Sequence, residues 1–395
     1  MNMATSRARV FPTAAPDGLI AAVLLSFLAT AGLFYVNIMA ALVSGLIDGL
    51  HFTERQAGLV ASANVYGAAF GALISIFFVR RISWRPVAVV LLCALIAVDL
   101  VSLLVRFPTP LMAVRFGHGV IGGMLVGTGF SVIARTRVPD RTFGMLLVVQ
   151  FGLGGLGVMF LPRLVPLYGT KILFLSLALF SLLTLSMIPF LADYARPVPV
   201  PGHVAARTRW VPLSLALAAT SLFQAGNMAL AAYMIELGRA YGLQTDFITT
   251  TLGIASWIGA LGSLLVVFLG LRFGRFRPLL IALALTVIGN ALFHLSSSAL
   301  IYAAANVGTA ITWAFVISYL LGMCAAFDAT GQSATMGGFF SKMGLATGPL
   351  LGGMLISNSH YGTLINVSVM ALAASALAAL IPAALLDRAG PKAVM

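Results

Sequence analysis

Charge is what this 395-residue chain has least of: 8% of its residues are charged, and only ten are acidic. Soluble domains carry about a quarter charged residues, so this shortage, with 61% hydrophobic residues and a mean hydropathy of +1.05, excludes an ordinary soluble protein. Acids are also outnumbered by bases, leaving a net charge of +13. A nucleic-acid partner is not implied, because the arginines fall in short clusters between apolar runs, the positive-inside pattern of membrane proteins. The two cysteines, Cys93 and Cys324, both stand in apolar runs and give no disulfide framework. Five scattered histidines, and acids that mostly stand in separate loops, form no cluster for metal or acid-base chemistry. No cofactor is therefore expected, and a polytopic membrane enzyme is the alternative of another class. A phosphate loop of the form Gly-x-x-x-x-Gly-Lys-Ser/Thr is missing too, which argues against ATP as the driving force.

Long apolar runs are present instead. Spans are expected near 19–45, 56–79, 86–105, 110–134, 143–165, 171–192, 211–236, 248–271, 278–297, 300–326, 330–356 and 363–386. That makes an all-α membrane protein of twelve transmembrane helices. The uncharged run from Gly18 to Ile47 is too long for the core of a cleaved signal peptide and reads as a retained first helix. Loop arginines and lysines number sixteen on one side of these spans and five on the other. Both termini are therefore expected in the cytoplasm, with the chain in a cell's inner membrane.

The stretch from Asp328 to Ser357 is glycine-rich and holds Lys342 near mid-membrane depth, where a charge is costly and marks a functional site by default. Its Gly331, Gly344 and Pro349 repeat Gly144, Gly157 and Pro162 at one spacing, and two basic turns ending in Arg85-Pro86 and Arg277-Pro278 repeat at nearly the same spacing. These pairs suggest a duplicated chain, a known transporter plan. The polar, proline-rich segment 193–210 divides the halves, so the expected domains are 1–192, the linker 193–210, and 211–395.

With these features the sequence resembles the major facilitator superfamily over essentially its whole length. Arg81, Arg85 and Pro86 match that family's basic turn in the first half, and Arg272, Gly274 and Arg275 match it in the second; the motif's aspartate is missing from both. Arg115 to Gly119 looks like the family's Arg-x-x-x-Gly motif, and Gly348-Pro349-x-x-Gly352-Gly353 resembles its glycine-proline element. The resemblance implies a gating role for Arg81, Arg85, Arg272 and Arg275, and a central cavity lined by the first, fourth, seventh and tenth spans. In this sequence those spans offer Tyr35, Asn37, Gln224, Asn227, Tyr233, Asn306, Trp313 and Tyr319 to a solute, each of which could equally be a helix-packing residue.

Asp99 and Arg115 lie at matching depths on either side of a short turn and are expected to form an ion pair, either as a lock between two helices or as a working site. His118, one turn beyond Arg115, is a candidate for proton coupling or a hydrogen-bonded packing residue. Glu236 and His294 are expected at solvated outer ends of their spans. Because Arg115, His118 and Lys342 outnumber the mid-membrane acids, the expected function is secondary transport of a small organic anion, a carboxylate, by alternating access with proton coupling. Asp99 and His118 would carry the proton, and Arg115 and Lys342 would bind the anion. The alternative within the same fold is a proton-driven multidrug exporter. The expected partners are a small-molecule solute, protons or another coupling ion, and lipid, and the protein is expected to act as a monomer.

Overall fold

The computed structural model describes residues 12–78, 83–137, 139–194, 209–270, 272–327, 332–356 and 360–389. Among them there is no β-strand. The helices are α1 (Leu19–Ala31), α2 (Phe34–Asn37), α3 (Met39–Leu50), α4 (Glu54–Phe78), α5 (Trp84–Ser102), α6 (Pro108–Ile133), α7 (Pro139–Tyr168) and α8 (Lys171–Met187) in the first half of the sequence. The second half forms α9 (Trp210–Ala231), α10 (Met234–Ala240), α11 (Thr245–Leu269), α12 (Phe276–Ala291), α13 (Ala299–Ala326), α14 (Gln332–Leu355) and α15 (Gly362–Ala389). Ten of them, α4 to α9, α11 to α13 and α15, are long and apolar enough to cross a membrane; α1 and α3 are shorter apolar helices. The expected first span is thus three helical pieces, and the expected seventh is α9 followed by α10.

Glycine decides how closely these helices approach. On α4, a Cβ at Gly67 or Gly71 would overlap the carbonyls of Phe116 and Val120 on α6; on α6, a Cβ at Gly119 or Gly123 would overlap those of Asn64 and Ala68. Two four-residue glycine spacings therefore bring the helix backbones into direct contact, as small residues do between membrane helices. The glycines of α14 act likewise: Gly344 and Gly348 press on the α9 backbone, and Gly353 on Glu54 and Arg55 of α4.

The buried core is divided unevenly. One cluster joins residues of the first half, such as Leu42 and Val60, to Leu230, Tyr233 and Leu364 of the second. A separate cluster, including Leu217, Leu283, Leu320 and Leu386, is built from the second half alone. The halves consequently share a core toward the end bearing Asp48, Glu54 and Arg239. Toward the end bearing Arg85, Asp193 and Arg275, the second half closes on itself. These are called the clasped end and the basic end below.

Candidate transport pathway

Among the described residues, five sets of polar contacts join the two halves from mid-length to the clasped end. Arg239 of α10 reaches Asp48 of α3 with Nη1 at 3.1 and 2.9 Å from the two carboxylate oxygens. Arg163 of α7 binds Asp246 Oδ1 at 3.1 Å and donates to Thr249 and Thr250 of α11 at 3.0 and 2.6 Å. The Tyr233 hydroxyl lies 3.0 Å from the carbonyl of Glu54 and 2.8 Å from that of Pro349. Nearer mid-length, Trp257 donates to the Gly152 carbonyl at 3.0 Å, and the Tyr66 and Thr347 hydroxyls meet at 2.8 Å.

Below this clasp lies a cavity of about 240 Å³ between the halves. Asn37, Gln150, Asn227, Ser256, Asn290, Asn306 and Thr309 supply its polar groups, and Phe151, Phe293 and Trp313 its aromatic faces. Among the described residues, no charged side chain is part of its lining. Asn227, Asn290 and Asn306 each donate to a carbonyl four residues back in their own helix at 2.8 to 2.9 Å. Asn37 Nδ2 is buried with no hydrogen-bond partner. A buried donor of this kind is costly to leave unpaired. Trp313 is oriented from behind: its Nε1 donates to Gln224 Oε1 at 2.8 Å, while Gln224 Nε2 donates to Ser341 of α14 at 2.9 Å. In front, its ring stands edge-on to Phe151 of the first half, at 6.3 Å.

The expected site residues divide accordingly. Asn37, Asn227, Asn306 and Trp313 line the cavity, whereas Gln224 stands behind it. Tyr319 lies away from it, donating to the Gly270 carbonyl at 2.6 Å. Tyr35 is buried against His118, ring centroids 6.0 Å apart. Lys342 is half-buried on α14, outside the cavity lining, and no carboxylate pairs with it among the described residues.

Asp99, Arg115 and His118 form their own closed cluster inside the first half. Arg115 Nη1 meets Asp99 Oδ1 at 2.9 Å, and both side chains are fully buried. Its Nη2 donates to the Val98 carbonyl at 3.3 Å and to the Ser102 hydroxyl, and its guanidinium stacks 4.9 Å from the Phe174 ring. His118 Nε2 lies 3.3 Å from the same aspartate oxygen, and its Nδ1 lies 2.8 Å from Asn64 Nδ2. The fourth span therefore lends no residue to this cavity, contrary to the arrangement expected from resemblance. Its polar face is occupied by α4 and α5, and its place at the cavity is taken by α7, α11 and α12. The signal for these additional lining residues was present in the sequence: Gln150, Ser256 and Asn290 are isolated polar groups in apolar runs.

Of the expected gating arginines, Arg81 lies outside the described residues. Arg85 bonds within the first half, to Asp193 at 3.1 Å and to the Leu191 carbonyl, with Trp84 beneath it. Arg275 offers its backbone N–H to Asp387 of α15 at 2.8 Å, and the Phe276 N–H joins it at 2.9 Å; Asp387 thus closes the start of α12. Arg272 is exposed. Near Arg85, the Tyr194 hydroxyl donates to the Pro16 carbonyl at 3.0 Å, and burial, with the nearby Asp17 charge, pushes this phenol up to about 12. Glu236, expected at a solvated end, is buried at 7% exposure, because α10 folds back under the clasp. His294 is hydrogen-bonded to Asn366 at 2.8 Å near the surface.

The chain has clear relatives in fold. A peptide transporter, in a mutant form, superposes with a TM-score of 0.72 at 14% identity, covering 97% of this chain and 98% of that one. The nucleoside transporter NupG, also as a mutant, gives 0.69 at 16% identity over 93% and 99% of the two chains. A D-xylose-proton symporter gives 0.69 at 12% identity over 92% and 97%. Among curated proteins, none matches the chain. The sequence profile of the Major Facilitator Superfamily matches residues 22–337, most of the chain, and the protein therefore belongs to that superfamily of multi-pass membrane transporters.

Proposed function

We propose that this protein is a twelve-span secondary transporter that carries a small, neutral, polar organic solute by alternating access. The observation that carries this reading is the cavity between the halves, lined by amides and, among the described residues, by no charged side chain. Such a surface suits a solute with several hydroxyl, carbonyl or amide groups on a compact body, since ligand sites are mostly apolar with few orienting polar groups. The spans are α1 to α3 taken together, α4 to α8, α9 with α10, and α11 to α15. The two six-helix units of 1–192 and 211–395 would rock about the linker 193–210. With the basic end in the cytoplasm of an inner-membrane protein, as loop charge favours, the clasped end faces outward and the closed contacts describe an inward-open or inward-leaning state.

Proton coupling belongs to the same reading. Asp99 and His118 are candidate carriers, and one aspartate oxygen, Oδ2, is buried without a partner. Arg115 is committed to Asp99, Val98 and Ser102, so a second reading, transport of an organic carboxylate, rests on Lys342, a half-buried lysine with no acid partner among the described residues. The multidrug-exporter alternative lacks a counter-charge in the cavity for a lipophilic cation.

Thermal unfolding of the purified protein with sugars, nucleosides, amides, carboxylates and lipophilic cations tests these readings, because a bound ligand raises the melting temperature by mass action. Stabilisation by a neutral polar solute that is lost in Asn37→Ala is the expected result. Stabilisation by carboxylates alone, lost in Lys342→Gln, would replace it with the anion reading.

A further inference from the structure

Glu236 has a place in the molecule that neither the cavity nor the buried ion cluster explains. Its side chain is buried, and neither carboxylate oxygen has a hydrogen bond. Arg239, three residues on in the same short helix, comes to 3.8 Å from Oε1, yet its Nη1 is already held by both oxygens of Asp48. Of the other groups around Glu236, only the Ser44 hydroxyl of α3 is placed to serve it, and it makes no well-formed hydrogen bond. Tyr233 directs its hydroxyl to Glu54 and Pro349, and Tyr302 of α13 donates to the Met234 carbonyl at 2.9 Å. Tyr361, before α15, and the Glu54 carboxylate of α4 complete the titratable groups near it, and the Ser44 hydroxyl of α3 stands beside it. Two carboxylates on opposite halves therefore compete for one guanidinium, which sits 2.9 Å from the exposed one and 3.8 Å from the buried one.

We infer that Glu236 is a proton-binding site that governs the clasp: it is neutral while Arg239 binds Asp48, and it gives up its proton to pair with Arg239 when the halves part. Burial disfavours a carboxylate as an anion unless it is well hydrogen-bonded and closely paired, which fits a neutral acid in the clasped state. Parting moves Asp48 away with α3, while Glu236 and Arg239 travel together on α10. The open state then holds the ion pair Glu236–Arg239, and the proton leaves to the water that enters. Protonation from the open side reverses this and returns Arg239 to Asp48. Opening releases one proton, so rising pH favours the open state and falling pH the clasped one, by up to about tenfold in their ratio per pH unit. This inference rests on the alternating-access reading but not on the identity of the solute.

The test uses the full-length protein in lipid nanodiscs, with Cys93 and Cys324 replaced by serine and spin labels at Arg55→Cys and Gln244→Cys, on opposite halves of the clasped end. Distances between the labels are measured without solute across the range from about pH 5 to about pH 8. The expected result is a longer-distance population that grows with pH, becomes independent of pH in Glu236→Gln with the clasped distance dominant, and prevails at both extremes in Asp48→Asn. A Glu236→Gln protein that keeps the wild-type pH response overturns the inference, as does a wild type that populates both distances with no response to pH. Should Glu236→Gln fail to fold, Arg239→Gln replaces it: without the guanidinium the pH response should vanish, and its persistence overturns the inference. A single distance under every condition, Asp48→Asn included, would overturn the alternating-access reading along with it.

Discussion

The helix pairs α5–α6 and α12–α13 carry different residues at matching positions, and the difference separates a lock from a binding surface. Asp99, Arg115 and His118 of the first pair are followed 191 positions later by Asn290, Asn306 and Thr309 of the second. A buried charge must find a partner, so Asp99 and Arg115 turn to each other, draw in His118, and lie closed within the first half. Neutral side chains make no such demand. Each of the three in the second pair donates to a carbonyl four residues back in its own helix. The same positions in the fold thus hold one half together and, in the other, line the cavity between the halves.

The sharpest way to break this contrast is to remove one charge. Asp99→Ala should destabilise the protein by about 3–5 kcal/mol, because Arg115 would be left buried and uncompensated. The double change Asp99→Asn with Arg115→Asn, which gives the first pair the amides of the second, should unfold at a temperature closer to wild type than either single change. Thermal unfolding in detergent measures both, and a double variant as unstable as Asp99→Ala would mean that charge is not what makes this cluster a lock.

On the other side of the comparison, Asn306→Ala and Asn290→Ala should leave unfolding nearly unchanged but weaken binding of the transported solute about tenfold each, the loss of one hydrogen bond. Equal affinity in both variants would remove the second pair from the site. The clasp should respond less. Arg163→Gln is expected to cost at most about 1 kcal/mol of stability, and the cost should shrink further with added salt, since the pair is partly exposed. Unfolding at low and high ionic strength checks it.

The smallest effect is expected at the basic end. The folded chain holds the Tyr194 proton more tightly than an unfolded one, so this group's contribution is intact below its ordinary value of 10.0 and is lost as pH rises toward about 12. Tyr194→Phe should abolish that alkaline loss, which unfolding across this pH range would show.

Much of the membrane architecture could be read from the order of residues. Runs of apolar residues determine helices wherever they exceed the thickness of a bilayer, and the start of α13 differs from expectation by one residue. The breaks at Gly32 and Tyr233 could not be read, because an apolar run looks the same whether its helix is straight or interrupted. Gly32 lies where a Cβ would overlap the Gly122 carbonyl, a contact with a distant helix. The pairing of Asp99 with Arg115 was legible because a short turn sets two helices antiparallel at equal depth. The clasp was not: Asp48 and Arg239 are 191 residues apart and stand in loops or helix ends where charges are common.

By itself, the sequence determined that this is a helical membrane transporter, since charge scarcity, span lengths and motifs are local properties that no packing arrangement alters. Which face of each helix meets the cavity was decided only by tertiary structure. Arg115 and Asn306 are both polar groups midway along membrane helices; one is sealed away and the other lines the cavity because of what the neighbouring helices bring to them. Burial and partnership are properties of the assembled bundle, and they separate a structural charge from a binding group.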